Sequence, residues 1–259
     1  MLALTEGERW GWTSAPILGL AAVSAVLFVV WGWVELRTRE PLVDMRMLAH
    51  RPVLLTNVTT LISGFALFGC FVLVPAFVQA ASSRGYGFDA SATAAGLFLL
   101  PSSIALLFAG PLAGVLGRRV GSKWPLVGGM LLTAVAAFML AARHDEAWEV
   151  VVAVGLLGAG VGLAFAAIVA LVAENVEPTE TGVATGMNTV ARIVGGVVGG
   201  QVGAALLTAR TIGNTEIPAE SAFTIAFAAA AVAALVATFI ALSITPRPLR
   251  TLRPAEAFE

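Results

Sequence analysis

Very few side chains in this sequence could do metal, redox or acid–base chemistry. There is one cysteine, Cys70, so neither an intrachain disulfide nor a cysteine-based metal cluster can form. Both histidines, His50 and His144, lie in polar segments, away from the apolar runs where a membrane-embedded hydrolase would need them. Lys123, the only lysine, is also in a polar segment. We therefore predict no catalytic residue, no metal site and no cofactor, and we expect that the protein is not an enzyme.

A second class of polar residues lies inside long apolar runs. An amide or hydroxyl in such a run either lines a cavity and bonds a substrate, or makes an interhelical hydrogen bond worth about 0.6 kcal/mol on average in membranes. Asn57, which has several threonines near it, and Asn188 are open to both interpretations. The predicted substrate-cavity residues are Asn57, Ser63, Ser102, Asn188 and Gln201.

Arg192 is the one basic residue that the sequence places inside an apolar run. An ionisable group at membrane depth is a functional candidate, although a long side chain can also extend its charged end to the membrane surface. The functional hypothesis is an ion pair with Glu174 or Glu177 that closes the cytoplasmic side. No carboxylate lies in the middle of an apolar run, so the sequence gives little support to proton coupling by this chain alone.

The amino-acid composition indicates that most of these residues lie in a membrane and not in water. Of the 259 residues, 58% are hydrophobic and 12% are charged, against about 45–50% and about 25% in soluble domains. A spanning helix needs about 20 apolar residues. Seven runs reach that length, and we predict an all-α membrane protein. The predicted spans are Ala15–Leu36, Val53–Ala80, Ala92–Leu116, Trp124–Ala142, Trp148–Ala173, Gly186–Ala209 and Ala222–Thr245.

Basic residues in the connections predict the orientation of the spans. Ten of the 15 basic residues lie on the side that holds the first and third connections and the C-terminal tail, and four lie on the other. The positive-inside rule then places the C-terminus in the cytoplasm and the N-terminus outside, in the cell membrane. A net charge of −1 gives no basic field for nucleic acid, so we expect the lipid bilayer, and not a nucleic acid, as a partner.

Rows of small residues mark two spans. The third span contains Gly110-x3-Gly114, and the sixth contains Gly195, Gly199 and Gly203 at the same spacing. Such rows let helix backbones approach closely in lipid, and we assign the second row to helix packing. These spans are the middle members of two triplets, the second to fourth and the fifth to seventh, which predicts a 3+3 inverted repeat.

Four segments resemble the C-terminal half of a major facilitator superfamily transporter of the fourteen-span drug:proton antiporter branch. They are ELRTREPLVDMRML from Glu35, VLVPAFVQ followed by AAGLFLLPSSI, GPLAGVLGRRVGSKWPL from Gly110, and TGVATGMNTVARIVGGVVGGQVGAALL from Thr181. The resemblance implies a six-helix half-transporter related to multidrug efflux proteins. It also implies a small amphipathic substrate and, as a partner, a missing N-terminal half or a second copy of the chain.

The third of these segments departs from the family signature Gly-x-x-x-Asp-Arg-x-Gly-Arg-Lys. Arg118 stands at the aspartate position and Ser122 replaces a basic residue, so the acidic member of the cytoplasmic lock is absent from this copy. The residues assigned to the cytoplasmic gate and loop motif are Gly110, Gly114, Arg119, Gly121, Lys123, Glu174 and Arg192.

We divide the chain into a polar N-terminus (1–14), an extra linker span (15–36), a basic cytoplasmic link (37–52), a six-helix transporter domain (53–245) and a disordered cytoplasmic tail (246–259). Two alternatives remain open. The chain is a truncated, inactive half-transporter, or it is a seven-span receptor-like protein, although the resemblance and the glycine rows disfavour a receptor.

Overall fold

In the computed structural model, residues 14–38, 45–213, 215 and 217–245 are described, and all of their long elements are α-helices. The helices are α1 (Ala15–Arg37), α2 (Met45–Ala49), α3 (Arg51–Val78), α4 (Ala92–Val120), α5 (Lys123–Ala142), α6 (Ala147–Asn175), α7 (Thr181–Ala209) and α8 (Glu220–Leu242). Seven of them, all except α2, are long and apolar enough to cross a membrane. The prediction of an all-α membrane protein is confirmed.

The helix ends differ from the predicted spans by a few residues. Arg118 and Arg119, which the sequence placed in a loop, form the last turn of α4. Glu174 belongs to the end of α6, and α7 begins at Thr181, five residues before the predicted start. Apolar composition marks the hydrocarbon core, whereas helices continue into the headgroup region, where polar side chains are solvated.

Some of the predicted segments cannot be compared with the structure. The N-terminus up to residue 13, part of the basic link (39–44) and the C-terminal tail (246–259) lie outside the described residues. The described part of the link contains the short helix α2, and α3 begins at Arg51 with Pro52 in its first turn, where the missing N–H of proline costs nothing.

The six helices α3 to α8 pack in the pattern that an inverted repeat predicts. If α3, α4 and α5 correspond to α6, α7 and α8, the contact of α4 with α6 corresponds to that of α7 with α3. These two contacts are the most extensive among the described helices. The contacts of α5 with α6 and of α8 with α3 also correspond, and α5 packs on α8. Apart from α5 and α6, helices adjacent in sequence, such as α3 and α4, touch little.

The apolar core lies among α3, α5, α6 and α8. Its largest fully buried side chains include Phe77, Phe223 and Phe227, which pack edge to face near one end of the bundle. By contrast, only 17% and 22% of the most apolar 18-residue stretches of α4 and α7 are buried, against 44% to 56% for the other four helices. The surfaces of α4 and α7 that the bundle leaves uncovered are called the open faces below. Helix α1 has no extensive contact with another described helix.

Glycine permits close crossing of the two main helix pairs. A Cβ atom on Gly195 or Gly199 of α7 would collide with the backbone carbonyl of Leu61 or Phe65 in α3. In the α4–α6 pair the glycine is on α6, where a Cβ on Gly158 would collide with the backbone of Ser102. Backbone-to-backbone contact of this kind holds helices together in lipid, because apolar burial alone gives no driving force there.

The row predicted in the third span packs differently. A Cβ on Gly110 would meet no other atom within 4 Å, and one on Gly114 would meet only the Arg118 side chain, at 3.9 Å. Gly203 of α7 is likewise looser, since its nearest neighbour is the Leu73 side chain at 3.6 Å. The expectation that Gly110 and Gly114 bring helices together is therefore not met within this bundle.

Candidate functional site

A buried amide cluster joins α3 and α7. The side-chain amide of Asn188 donates hydrogen bonds to Oδ1 of Asn57 (2.9 Å) and to Oγ1 of Thr60 (2.8 Å). Asn188 is 3% exposed and Thr60 is fully buried, whereas Asn57 is half-buried. These three residues, the amide cluster, lie beside the close crossing at Gly195. The arrangement matches the interhelical hydrogen bond, one of the two interpretations open from the sequence.

The hydroxyl groups around the amide cluster are directed at their own helix. Thr56 and Thr59 donate to the carbonyl oxygens of Pro52 and Leu55, and Ser63 donates to that of Thr60. Each hydroxyl hydrogen is therefore used locally, although the oxygens can still accept a bond. The group left with donors to offer at this point is the half-buried amide of Asn57.

The structure does not bring all five predicted cavity residues to one place. Asn57 and Asn188 are in contact, and Ser63 lies on α3, one to two turns further along. Ser102 is buried in the other crossing, where its hydroxyl donates to the Leu99 carbonyl (2.6 Å). Gln201 is half-buried on α7. A common substrate cavity for these residues stays a prediction.

A cavity of about 10 Å³ lies beside the crossing of α3 and α7, next to Gly199 and Gly203. A cavity must be about that size to hold one water molecule. It is therefore too small for an organic substrate.

Arg192 packs on an aromatic ring. Its guanidinium carbon lies 4.6 Å from the centroid of Phe165 in α6, the geometry of a cation–π contact. Within the described part of the chain Arg192 forms no ion pair, and Glu174 instead accepts a hydrogen bond from Ser122. The predicted pair of Arg192 with Glu174 or Glu177 is therefore not formed in this conformation, in which Arg192 packs on Phe165 and Glu174 is bonded to Ser122.

We expect a double-mutant cycle to couple Arg192 with Phe165 and not with Glu174. Coupling of Phe165→Leu with Arg192→Gln should be about 0.5–1 kcal/mol, the usual value for a partly exposed cation–π pair. Coupling of Glu174→Gln with Arg192→Gln should be near zero. Denaturant unfolding of the purified chain in detergent measures both cycles. A larger coupling to Glu174 would restore the ion-pair hypothesis.

The loop motif ties the α4–α5 connection to the ends of two other helices. The hydroxyl of Ser122, which is 4% exposed, donates to the carboxylate of Glu174 at the end of α6. The ammonium group of Lys123 donates to the carbonyl of Leu242 at the end of α8, 2.7 Å away. Gly121 turns the chain between α4 and α5 with a φ of +88°, a conformation that favours glycine. Arg119 is exposed in the last turn of α4.

Sequence reasoning did not find Thr60 as an acceptor, Phe165 under Arg192, or the bond from Ser122 to Glu174. The departure at Ser122 was visible in the sequence, but its partner lies 52 residues away. Sequence reasoning also missed a polar contact at the opposite end of the bundle. There, Nε2 of His144 lies 3.1 Å from Oε1 of Glu220.

Comparison with known families and proteins shows what this chain is similar to. A family model described as Major Facilitator Superfamily matches residues 59–259. The chain is 32% identical over 187 residues to the "Multidrug resistance protein Stp" of Mycobacterium tuberculosis, a match that covers 71% of this chain and 33% of that protein. It is 28% identical over 189 residues to the "Multidrug transporter protein MdtP" of Bacillus subtilis, covering 71% and 34%.

A third relative is more distant. The chain is 26% identical over 161 residues to the "Tetracenomycin C resistance and export protein" of Streptomyces glaucescens, which covers 62% of this chain and 29% of that protein. The matched region therefore spans about a third of the length of these curated relatives.

Proposed function

Because the chain belongs to the major facilitator superfamily, we propose that it supplies one six-helix half of a transporter that exports small amphipathic molecules. The family resemblance found in the sequence is confirmed, and the chain is a multi-pass membrane protein. Support for export comes from relatives whose names describe multidrug resistance or transport. Support for a half comes from the share of those relatives that the chain matches.

The open faces of α4 and α7 support the proposal that another helix bundle packs on these two helices. A Cβ on Gly110 of α4 or on Gly200 of α7 would have no neighbour within 4 Å. In lipid, small residues on a helix surface favour close packing of a further helix. The two faces also belong to corresponding helices of the repeat, so one partner of similar architecture would cover both.

The amide cluster joins α3 and α7, and Arg192 of α7 packs on Phe165 of α6. We propose that Asn57 and Gln201, each half-buried, contact substrate once the second bundle encloses the site. In the same proposal, Ser122 and Lys123 hold the cytoplasmic ends of α6 and α8 in place. The N-terminus is then outside the plasma membrane and the C-terminus is in the cytoplasm, as the ten basic residues on one side indicate.

Proton coupling, if the assembled transporter is proton-driven, is assigned to the other half. The carboxylates of the described spans lie near helix ends, as Glu149 and Glu174 do, and the middle of each described span has none. A buried mid-membrane carboxylate is the natural group to bind and release a proton during transport.

The test is efflux of ethidium from cells that lack their own exporters. We expect no efflux from the chain alone. We expect efflux, and co-purification, when the chain is co-expressed with the N-terminal half of a relative such as the Bacillus subtilis protein. Gly110→Leu or Gly200→Leu should reduce co-purification, because the leucine would fill the open face. Gly128→Leu is the matched control, since Gly128 is exposed on α5, where a Cβ also has no neighbour within 4 Å.

Each other outcome selects an alternative. Full efflux by the chain alone as a monomer would contradict the half-transporter proposal. Efflux by a chain that sediments as a dimer would identify a second copy as the partner. A chain that neither co-purifies with the half nor moves ethidium in any combination would be an inactive remnant.

A further inference from the structure

A histidine and a glutamate meet at the end of the bundle opposite the Ser122–Lys123 connection. His144 lies in the short turn between α5 and α6 and is 7% exposed. Its Nδ1 is 2.7 Å from the carbonyl oxygen of Leu140, and its Nε2 is 3.1 Å from Oε1 of Glu220, the first residue of α8. The pair thus joins the α5–α6 turn to the start of α8.

The two contacts require more protons than a neutral imidazole carries. A carbonyl oxygen and an ionised carboxylate can only accept hydrogen bonds, so with Glu220 ionised both ring nitrogens donate. A neutral histidine has one N–H, and either tautomer would leave a nitrogen lone pair facing an oxygen lone pair at hydrogen-bond distance. The geometry therefore fits an imidazolium, protonated on both nitrogens, against an ionised Glu220.

The helix ends favour this distribution of charge. Leu140 is in the last turn of α5, and the unpaired carbonyls at a helix C-terminus attract a cation. Glu220 is in the first turn of α8, where the N-terminal end of the helix dipole favours an anion. Both helix ends therefore favour a cation at His144 and an anion at Glu220.

Other charged groups around the pair are already engaged or face water. Arg143 lies 3.8 Å from the carboxylate of Glu149, and the Asp145 carboxylate is exposed. In the α3–α4 connection, Arg84 is exposed, and two bonds from Ser82 hold the pKa of Asp89 below its ordinary range.

The remaining surface of the imidazole faces aromatic side chains and a cavity. The Phe77 ring packs edge-on, with ring centroids 5.0 Å apart, and the Tyr86 hydroxyl donates to the carbonyl of Pro218 just before α8. A cavity of about 240 Å³, lined by Ser82, Gly85, Tyr86, Gly87, His144 and Asp145, gives water access to the ring. A proton can therefore exchange with solvent without unfolding of the turn.

We propose that His144 and Glu220 form a proton-binding site, in which the proton on Nε2 holds the α5–α6 turn against the start of α8. Loss of the proton to water in the cavity leaves the Nε2 lone pair facing the carboxylate and weakens this contact. The site is separate from the amide cluster, and it does not depend on the proposed function.

The chain allows a direct test, because it has two histidines. His50 is exposed and makes no side-chain cap bond, so His50→Gln leaves one imidazole in the protein. With ¹⁵N-labelled histidine in lipid nanodiscs, the nitrogen shifts report protonation of each ring nitrogen of His144. We expect both ring nitrogens of His144 to carry a proton at pH 6.

Two variants in the His50→Gln background separate a proton site from a merely structural contact. Glu220→Gln keeps a side chain that can donate to a neutral Nε2, so the contact survives without the extra proton. We expect it to show one protonated nitrogen at a pH where the parent shows two. Asp145→Asn, which removes a carboxylate from the same cavity, should behave like the parent.

A singly protonated His144 at pH 6 in the parent would overturn the proposal even if Glu220→Gln failed to fold. So would the same number of protonated His144 nitrogens in the parent and in a folded Glu220→Gln.

Discussion

Replacing Gly195 by alanine is expected to destabilise the six-helix bundle, even though alanine is the better helix former. The added Cβ would collide with the carbonyl of Leu61 in α3, and a backbone atom cannot move aside without shifting the whole helix. Overpacking of a close contact costs about 1–3 kcal/mol. The intrinsic gain from glycine to alanine, about 1 kcal/mol at most, offsets only part of this.

Thermal unfolding of the purified chain in detergent measures the effect, and Gly200→Ala is its matched control. Gly200 lies on the same helix, and a Cβ there meets nothing within 4 Å. We expect Gly200→Ala to melt at the same temperature as the parent or slightly higher. Equal melting temperatures for the two variants would mean that the α3–α7 crossing is looser than the structure has it.

Gly158→Ala is expected to destabilise the corresponding crossing of α4 and α6 by a similar amount. Its Cβ would enter the backbone of Ser102 in α4. Because the two crossings involve four different helices and share no residue, the losses of Gly158→Ala and Gly195→Ala should add in the double variant to within about 0.5 kcal/mol.

The control on the α4 side is Gly110→Ala. From the glycine row in the sequence alone, this would be the change expected to destabilise the bundle. In the structure Gly110 has no neighbour that its Cβ would meet, so we expect no loss of stability for the isolated chain. A drop in melting temperature for Gly110→Ala, with none for Gly158→Ala, would show that α4 presents its other face to α6.

The number and type of the helices could be predicted from the sequence. Exposing a long apolar run to water is costly, and such a run is visible in the local sequence. The sequence located helix ends less well, since a run such as Gly186–Ala209 marks the hydrocarbon core and α7 continues back to Thr181. It showed that glycine rows exist and not which face they occupy. Both α4 and α6 contain glycines, and the side of a helix that meets its neighbour depends on the other helices in the bundle.

The site was predictable only at the level of residue type. Asn57 and Asn188 stood out as amides in apolar runs, but their contact joins positions 131 residues apart, and the sequence carried no signal of that pairing. Arg192 was expected to need a counter-charge. The structure provides the face of Phe165, an aromatic ring that the sequence could not distinguish from other core residues.

The packing order has a consequence for how the chain is made. The extensive contacts of α3 are with α7 and α8, while its neighbour α4 leaves it largely uncovered. Helix α7 begins roughly a hundred residues after α3 ends. At about 5–20 residues per second, a ribosome needs about 5–20 s to synthesise that length. During this interval the Asn57 amide and the Thr60 hydroxyl oxygen lack their partner Asn188, so we expect newly inserted α3 to depend on the insertion machinery or on a neighbouring protein to shield these groups from lipid.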